Sequence, residues 1–307
     1  MGALKGRDLL SLADLSTEET LFLLDFAAQL KTGKVKPNSP KALGLLFSKA
    51  STRTRVSFTV AMGQMGGQVL DLNANLTQVG RGEPIEDTAR VLDRYLDVVA
   101  IRTFEQSEVE TFAHYAKMPV INALTDLEHP CQILADLQTV FEAFGTFKGL
   151  TMTYLGDGNN IAHSLLLGCA LVGLNICVAA PEGFQPLPEI VAKAKAIACD
   201  RASITITTDP EAAAKDAHIL YTDVWASMGQ EDSADDRVPI FMPYQINSAL
   251  LGLADPAAIV LHCLPAYREK EITNEVMEGA ASRIWDQAEN RLHSQKALLA
   301  AVLDATF

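Results

Sequence analysis

The sequence has little positive charge for the amount of negative charge that it carries. It contains 25 lysines and arginines against 38 aspartates and glutamates, which gives a formal net charge of −13 at pH 7. Binding to nucleic acid requires a basic face, so this balance argues against a nucleic-acid partner. A small anionic ligand remains compatible with the sequence, because such a ligand responds to nearby donors more than to the distant net charge.

Cysteines are also few, and their spacing excludes two classes of site. The chain has an odd number of them and no CxxC pair, with cysteines at 131, 169, 177, 199 and 263. Such a set indicates neither a disulfide framework nor a zinc site, and it is typical of proteins in a reducing cytosol. We therefore expect a cytoplasmic location.

No apolar run has the length and continuity of a membrane span. The opening residues, MGALKGRDLL, contain no apolar core of signal-peptide length. The most apolar window, 161–180, contains His163 and Ser164 and is divided by Gly173. This window predicts a buried helix followed by a buried strand, and we expect no membrane partner.

Short apolar runs alternate with segments of helical length and period along the chain. Candidate strands lie at 42–48, 67–73, 97–103, 119–124, 150–157, 175–181, 202–209, 218–225 and 258–265. Helical patterns occupy 52–64, 84–95, 132–144, 160–172 and 188–199. The alternation predicts an α/β fold of two domains, each a parallel β-sheet flanked by helices.

A Gly-rich turn, FGTFKG, ends the helix at 132–144 and starts a new strand. We therefore predict one domain at 1–145 and a second at 146–289, sizes that suit a chain of 307 residues. The last segment, 290–307, has the pattern of an amphipathic helix. We expect this helix to return to the first domain and pack across the domains.

The stretch FSKASTRTRVSF, at 47–58, concentrates hydrogen-bond donors at one place in an acidic chain. It follows the first candidate strand and opens a helix, whose free backbone N–H groups and dipole favour an anion. Arg53 adds a planar fork suited to phosphate, and the hydroxyls of Ser51, Thr52 and Thr54 add short donors. The stretch predicts a site for a small phosphate, and the alternative is a capped surface helix with solvated arginines.

Three further polar side chains lie at strand ends or helix starts. Arg102 ends the third strand, where a buried arginine needs an anion, either a ligand or a carboxylate. His129 and Gln132 lie near the start of the long helix that follows the fourth strand. The helix dipole should disfavour imidazolium there and leave a neutral donor able to polarise a carbonyl, although a structural histidine would fit the same position.

The second half of the chain carries groups suited to a free amino acid. The turn at 154–164, YLGDGNNIAHS, lacks the third glycine of a dinucleotide loop, so nicotinamide binding is not favoured. Asn159 and Asn160 could instead hold a carboxylate. Asp223 ends a strand and could hold an ammonium group, while the N–H groups of the Ser-Met-Gly turn at 227–229 could hold a carboxylate. An ordinary polar loop is the alternative.

Two candidate residues lie toward the end of the chain. Cys263 follows the last strand where a thiol could face a ligand, although a lone cysteine in an apolar strand usually serves packing. Arg291 begins the final helix, and its alternative role is a solvated surface charge. His262 and Cys263 form a weak metal pair with no third ligand in view, so we expect no metal. Strand alternation should turn His262 to the face opposite Cys263.

Five motifs occur in one order over nearly the whole chain: STRTR, HPCQ, DVWASMG, HCLP and NRLHSQK. In that order and spacing the chain resembles the aspartate/ornithine carbamoyltransferase family. The SMG turn and HCLP are marks of the ornithine-type members. An aspartate-type member would be expected to lack both and to carry a lysine in the loop after the second strand, which here reads NLTQVGRGEP.

The resemblance implies that carbamoyl phosphate donates its carbamoyl group to the δ-amine of L-ornithine, giving citrulline and phosphate without a cofactor or a metal. It implies catalytic roles for Arg102, His129 and Cys263. Carbamoyl phosphate would be bound by Ser51, Thr52, Arg53, Thr54, Gln78, Arg102, His129, Gln132, Cys263, Leu264 and Arg291. L-Ornithine would be bound by Asn160, Asp223, Ser227 and Met228.

The resemblance also implies a homo-oligomer, a trimer or a multiple of trimers, in which Gln78 reaches carbamoyl phosphate from a neighbouring subunit. Two alternatives stay open. One is a carbamoyltransferase for another amine, such as putrescine or N-acetylornithine, but Asp223 and the SMG turn favour a free α-amino acid. The other is a non-catalytic regulatory protein on the same fold, which the intact set of Arg53, Arg102, His129 and Cys263 disfavours.

Overall fold

The computed structural model describes residues 2–73, 78, 81–226 and 234–307. The chain divides into two compact units, of which unit 1 comprises Met1–Gln138 with Glu289–Phe307 and unit 2 comprises Thr139–Ala288. The division falls within the helix Pro130–Phe144, whereas the sequence analysis placed its boundary at the turn after that helix. A continuous helix carries the chain from one unit into the other, so no local sequence signal marks the point of division.

Four parallel strands form the sheet of unit 1: β1 (Ala42–Phe47), β2 (Gln68–Asn73), β3 (Val98–Arg102) and β4 (Val120–Leu124). Their order across the sheet is β2-β1-β3-β4. The accompanying helices are α1 (Thr17–Lys31), α2 (Arg53–Gln64), α3 (Ile85–Leu92), α4 (Gln106–Tyr115) and the start of α5 (Pro130–Phe144).

Burial in this sheet follows the position of each strand. All residues of β3 are buried, as are all of β1 except Ala42. The edge strand β2 has no buried residue, and its Leu70 is 43% exposed. Parallel pairing brings Phe47 opposite Arg102, so the segments that follow β1 and β3 leave the sheet at the same edge. Polar groups from distant parts of the sequence can therefore gather there.

Five parallel strands form the sheet of unit 2: β5 (Thr151–Leu155), β6 (Asn175–Ala179), β7 (Ile204–Thr207), β8 (Ile219–Thr222) and β9 (Ile259–His262). Their order is β7-β6-β5-β8-β9. Its helices are α6 (Asn160–Val172), α7 (Pro188–Ala198), α8 (Pro210–Ala214), α9 (Ala234–Phe241), α10 (Ser248–Leu251) and α11 (Asn274–Met277). The predicted fold class, two parallel-sheet domains flanked by helices, is confirmed.

The last helix, α12 (Ile284–Val302), begins in unit 2 and ends in unit 1. Backbone bonds hold the segment that follows it: Asn38 N–H donates to the Thr306 carbonyl at 2.8 Å, and Thr306 N–H donates back to Asn38 at 3.1 Å. The segment after α12 is thus hydrogen-bonded to the backbone of unit 1. Among the described residues, no helix combines the length and apolar character needed to cross a membrane.

Gly158, in the turn after β5, should not tolerate a side chain. A Cβ there would lie 2.3 Å from Pro186 N and 2.6 Å from the carbonyl oxygen of Phe184, which are backbone atoms. We expect Gly158→Ala to lower the free energy of unfolding by about 1–3 kcal/mol because the segment at 184–186 must move. Scanning calorimetry of the variant and the wild type measures the shift.

The matched control is Gly63→Ala in α2, where a Cβ meets no atom within 4 Å. Alanine is the better helix former by up to about 1 kcal/mol, so this variant should be as stable as the wild type or more so. Equal destabilisation by the two substitutions would contradict the packing described at Gly158.

Candidate active site

The polar cluster after β1 opens α2 at the carboxyl edge of the unit 1 sheet. Helix α2 begins at Arg53 with Thr52 as its N-cap residue, and its first turn holds no acidic side chain. Thr54 is buried, Ser51 is half-buried, and Thr52 and Arg53 are exposed. A helix N-terminus flanked by arginine and hydroxyl groups can bind a phosphate through backbone N–H groups, the helix dipole and charged donors together.

Arg291 links the polar cluster to the start of α5. Its Nη1 donates to Gln132 Oε1 at 2.5 Å, and its Nη2 donates to Thr54 Oγ1 at 3.1 Å. Gln132 in turn donates to Asp136 Oδ1 at 2.7 Å. Arg291 is only 4% exposed, so the alternative of a solvated surface arginine is wrong. The structure thus brings together three of the predicted residues from α2, α5 and α12.

Gln295 holds Arg291 from its other side and was not among the predicted site residues. With its amide oxygen turned toward Arg291, Gln295 accepts from Nη2 at 2.8 Å and from Nε at 3.2 Å, and its amide nitrogen donates to Ser57 at 2.5 Å. Gln295 follows Arg291 by four residues in α12. Since residues four apart share one face of a helix, this spacing is the signal that could have found it.

His129 lies buried immediately before α5, where its uncharged form is favoured. Burial lowers the pKa of His129 well below its usual value, and the positive charges of Arg291, Arg102 and Arg53 lower the pKa further. The helix dipole was expected to keep this imidazole neutral, but burial is the principal cause of its low pKa. A neutral imidazole carries one N–H donor, which can polarise a carbonyl group without adding a proton to it.

Arg102 is the last residue of β3 and is 8% exposed. Its backbone carbonyl accepts from Ser48 N–H at 2.8 Å, which joins the end of β3 to the segment after β1. Lys49, next along that segment, forms an ion pair with Asp126 and lies 4.2 Å from the centre of the Phe104 ring. The segments after β1, β3 and β4 are therefore joined to one another. Lys49 belongs to the stretch FSKASTRTRVSF but was not among the predicted site residues.

Asp223 is the centre of the polar cluster of unit 2. It lies just after β8 and is 7% exposed. Its Oδ1 accepts from Cys263 Sγ at 2.9 Å and from Val224 N–H at 2.8 Å, while its Oδ2 accepts from Asn159 Nδ2 at 3.0 Å. The contact between Asp223 and Cys263 joins two predicted residues that lie 40 positions apart.

Asn159 and Asn160 have different roles in the turn after β5. Asn159 is the N-cap of α6, accepting from Ile161 N–H at 2.9 Å and from Ala162 N–H at 3.3 Å, and its amide also reaches Asp223. Asn160, for which the family resemblance implies a role in ornithine binding, is the first residue of α6 and is half-buried. Only the tertiary structure distinguishes the two, because their chemistry and sequence context are the same.

The same turn holds an ion pair that the sequence analysis did not predict. Asp157 pairs with Arg237 at the start of α9, and the Arg237 guanidinium lies over the rings of Phe184 and Phe241 at 4.9 and 5.1 Å. Burial raises the pKa of Asp157 to about 6, although Arg237 acts in the opposite direction. Two other predicted residues, Ser227 and Met228, lie outside the described part of the chain.

Cys263 and Leu264 follow β9 directly. Cys263 is half-buried, and Leu264 has a left-handed backbone with φ of 59°. Such a conformation costs a non-glycine residue about 1–2 kcal/mol. Leu264 N–H donates to Nδ1 of His262 at 2.9 Å, and Nε2 of His262 lies 3.0 Å from Glu271 Oε1. Both ring nitrogens of His262 therefore already have partners.

Asp223, His262 and Cys263 each place one potential ligand atom within 4.8 Å of the others. The expectations that His262 faces away from Cys263 and that no third ligand lies near were therefore wrong. Strand β9 ends at His262, so side-chain alternation does not extend to Cys263. These three residues could hold a metal ion only if the imidazole gave up one of its hydrogen bonds and the thiol lost its proton.

Gln78 is described as a single residue between undescribed neighbours, and it is exposed. Its carbonyl accepts from Arg81 N–H at 2.9 Å and from Glu83 N–H at 3.1 Å. The structure thus places this predicted residue on the surface of unit 1.

Comparison with known proteins also finds two domains in this chain. Two family models match: "Aspartate/ornithine carbamoyltransferase, carbamoyl-P binding domain" over residues 7–142 and "Aspartate/ornithine carbamoyltransferase, Asp/Orn binding domain" over residues 148–302. A protein from Thermosynechococcus vestitus named ornithine carbamoyltransferase is 70% identical over 303 residues, which cover 99% of this chain and 98% of that protein.

Solved structures extend the similarity to the fold. The crystal structure of ornithine carbamoyltransferase from Gloeobacter violaceus is 59% identical, with a TM-score of 0.89, over 96% of this chain and 98% of its own. The ornithine carbamoyltransferase from Pyrococcus furiosus is 47% identical, with a TM-score of 0.95, over 99% of both chains. The chain, with its arginine-rich cluster in one unit and its aspartate–cysteine cluster in the other, belongs to the aspartate/ornithine carbamoyltransferase family.

Proposed function

We propose that the chain is an enzyme that transfers the carbamoyl group of carbamoyl phosphate to the δ-amine of L-ornithine, giving L-citrulline and phosphate. The observation that carries this proposal is the buried, neutral His129 among three arginines in unit 1. Such a cluster suits a substrate with both a phosphate and a carbonyl. Relatives that are 62–70% identical are named ornithine carbamoyltransferase, which supports ornithine as the acceptor.

Carbamoyl phosphate binds to unit 1 in this proposal. Arg53 and the N-terminus of α2 hold the phosphate, with donors from Ser51 and Thr52. Arg102, His129 and Thr54 face the carbamoyl oxygen, while Gln132 holds the carbamoyl amide and Arg291 orients the group. No cofactor takes part, because carbamoyl phosphate is already an activated acyl donor.

Ornithine binds to unit 2 in this proposal. The Asn160 side chain and the N–H groups of the turn at Ser227 and Met228 hold its α-carboxyl end, while Asp223 and Cys263 receive an amine. A free amine of this kind has a pKa of about 10.4, so roughly one molecule in a thousand is neutral at pH 7.4. Only the neutral amine attacks, and the Asp223 carboxylate beside the Cys263 thiol can hold the δ-amine and help to remove its proton.

The reaction is then direct attack. The δ-nitrogen forms a bond to the carbamoyl carbon, and the carbonyl electron pair moves to the oxygen to give a tetrahedral oxyanion. Donors from Arg102, His129 and Thr54 stabilise that oxygen, and each such donor typically contributes about 3 kcal/mol. The carbon–oxygen bond to phosphate then breaks and the carbonyl re-forms. Arg53 stabilises the additional negative charge on the leaving phosphate.

The assembly proposed is a cytoplasmic homotrimer, or a multiple of trimers, in which Gln78 completes the site of a neighbouring subunit. Three exposed apolar side chains on one part of unit 1 support an interface there. Leu70 on the edge strand β2 is 43% exposed, and Val56 and Val60 on α2 are 55% and 38% exposed. Helix α2 is joined to β2 by the ion pair between Arg55 and Asp71.

A substrate panel tests the proposed reaction against its alternatives. Carbamoyl phosphate is supplied with L-ornithine, L-aspartate, putrescine or N-acetylornithine, and the carbamoylated product and released phosphate are measured. The proposal expects turnover with L-ornithine at a kcat/KM at least about a hundredfold above the others. Turnover mainly with putrescine or N-acetylornithine would support the other-amine alternative, and no turnover with any amine would support a regulatory protein.

Arg53→Lys should lower kcat/KM for carbamoyl phosphate by about tenfold or more, a loss of at least about 1.4 kcal/mol. Lysine keeps the charge but not the bidentate fork. The matched control is Arg90→Lys, a surface residue of α3 paired with Asp87, which should retain wild-type kinetics. A smaller loss of kcat/KM in Arg53→Lys, measured in steady-state assays, would show that Arg53 does not clamp the phosphate.

A shared active site should be detectable by subunit complementation. Arg102→Ala and Gln78→Ala proteins should each be nearly inactive. Hybrids should regain activity, because a Gln78→Ala subunit retains Arg102 and can receive an intact Gln78 from an Arg102→Ala neighbour. Activity is measured after mixing and re-association, with hybrids verified by differential tags. Verified hybrids with no more activity than their parents would rule out the shared site.

Cys263→Ser should retain phosphate binding but weaken ornithine binding and shift the pH–rate profile, with measurable turnover remaining. The physical reason is that serine keeps a donor to Asp223 but has a much less acidic proton than a thiol. Thiolates also attack acyl carbons readily, so a covalent route must be tested separately.

Rapid quenching of the wild type with labelled carbamoyl phosphate, followed by mass spectrometry, makes that test. Direct attack by ornithine predicts no carbamoyl group on Cys263 at any time. A carbamoyl-cysteine that forms and disappears at the rate of turnover would refute direct attack.

A further inference from the structure

Glu271 is a buried carboxylate that the chemistry proposed above does not use. It is 1% exposed and lies between the last strand of unit 2 and α11. Its Oε1 lies 3.0 Å from His262 Nε2 and accepts from Tyr267 N–H at 2.6 Å. A buried carboxylate is costly unless donors compensate it. Here the two donors come from the two ends of one short segment, 262–267, which contains Cys263.

The hydrogen bonds of His262 determine where its proton lies. Nδ1 accepts from Leu264 N–H at 2.9 Å, and a nitrogen that accepts carries no proton. The proton of the neutral imidazole is therefore on Nε2, from which it is donated to Glu271. The ring thereby connects the Glu271 carboxylate to the backbone of Leu264.

That connection acts at a residue with an unfavourable backbone conformation. Leu264 has the left-handed φ of 59°, which a leucine adopts only when its surroundings hold it. Cys263 lies between His262 and Leu264, and its thiol donates to Asp223 at 2.9 Å. A change in the turn at Leu264 would rotate the Cys263 backbone and redirect its thiol.

Hydrogen bonds hold both Glu271 and the end of β9 in place. The Glu271 carbonyl accepts from Ile246 N–H at 2.9 Å, and Thr273 N–H donates to the Ile246 carbonyl at 3.1 Å. On the other side, His262 N–H donates to Gln287 Oε1 at 2.9 Å. Backbone bonds thus fix Glu271, and a buried side chain of α12 fixes the end of β9, so the carboxylate can hold the segment in one conformation.

We propose that Glu271 is a positioning residue for the transfer reaction. Acting through His262, it sets the conformation of the segment 263–267 and so directs the Cys263 thiol toward Asp223 and the ornithine amine. Glu271 has no proposed contact with either substrate. The inference rests on the ornithine reaction proposed above, and its test includes a readout that does not depend on that reaction.

The first measurement compares Glu271→Leu with Glu271→Gln. Glutamine retains an oxygen that can accept from both His262 and Tyr267, whereas leucine has a similar size and no acceptor. We expect kcat/KM for ornithine to fall by about tenfold or more in Glu271→Leu, which corresponds to about 1.4 kcal/mol. Glu271→Gln should stay within about threefold of the wild type. Phosphate binding, measured by calorimetry, should be unchanged in both.

The matched control is Glu278→Leu. Glu278 follows on the same stretch of chain, but it pairs with Arg268 at the surface, with side chains 51% and 37% exposed. Its removal should leave kinetics within about twofold of the wild type, because exposed ion pairs contribute little. This control separates the effect of the buried carboxylate from that of losing any acidic side chain near the segment.

The second measurement follows Cys263 itself. Iodoacetamide labelling resolved by peptide mass spectrometry reports the alkylation rate of each cysteine, with exposed Cys199 as the internal standard. The rate at Cys263 should change by about threefold or more in Glu271→Leu and remain at the wild-type value in Glu271→Gln. Cys199 should react equally in all three proteins.

Each outcome decides the proposal. Wild-type kinetics and wild-type Cys263 labelling in a folded Glu271→Leu protein would overturn it. A Glu271→Gln protein as impaired as Glu271→Leu would also overturn it, because hydrogen-bond acceptance would then not be the cause. A wild type with no ornithine turnover would refute the proposed function, while the labelling rates would still decide whether Glu271 positions Cys263.

If Glu271→Leu does not fold, His262→Asn replaces it. Asparagine offers an oxygen near the Nδ1 position for Leu264 N–H, but its side chain is too short to reach Glu271. The same tenfold loss for ornithine with unchanged phosphate binding is expected, and unchanged ornithine kinetics would overturn the proposal.

Discussion

The hydrogen bonds from Arg291 to Gln132 and Thr54 are the interaction on which the polar cluster of unit 1 depends. They join side chains that are 159 and 237 positions apart in the sequence. Removing the guanidinium would leave buried polar partners unsatisfied, which is costly in a low-dielectric interior. After burial, the positive charge of Arg291 contributes most to the low pKa of His129. One side chain thus contributes to both the geometry and the electrostatics of the cluster.

The polar clusters of the two units are built around charges of opposite sign. Unit 1 gathers positive charge at the ends of its strands, and it keeps His129 neutral by burial, so that the imidazole donates without being an acid. Unit 2 buries a carboxylate, Asp223, and satisfies it with donors from Asn159, Cys263 and Val224. The first arrangement suits an anionic electrophile, and the second suits an amine that must lose a proton. Each arrangement depends on which side chains lie at the carboxyl edge of its parallel sheet.

His262 illustrates how a residue next to a reactive group can be unavailable to it. A ring nitrogen lies within 4.8 Å of the Cys263 thiol, close enough to raise the question of a cysteine–histidine pair. Both nitrogens are engaged elsewhere, with Leu264 N–H and with Glu271. The imidazole therefore supports the turn rather than activating the thiol, in agreement with direct attack by the amine.

The sequence by itself determined the alternation of strands and helices, because periodicity and turn residues are local properties. It also indicated which strand ends carry STRTR, Arg102, His129 and Cys263, since polar groups that follow apolar strands of a parallel sheet gather at one edge. Only the tertiary structure decided that Asn159 contacts Asp223, that Arg291 donates to Gln132 and Thr54, and that the ring of His262 lies near the Cys263 thiol. It also decided that the division between units falls inside α5. These features depend on contacts between residues far apart in the chain or on the geometry at a strand end, and no local pattern of residue types encodes either.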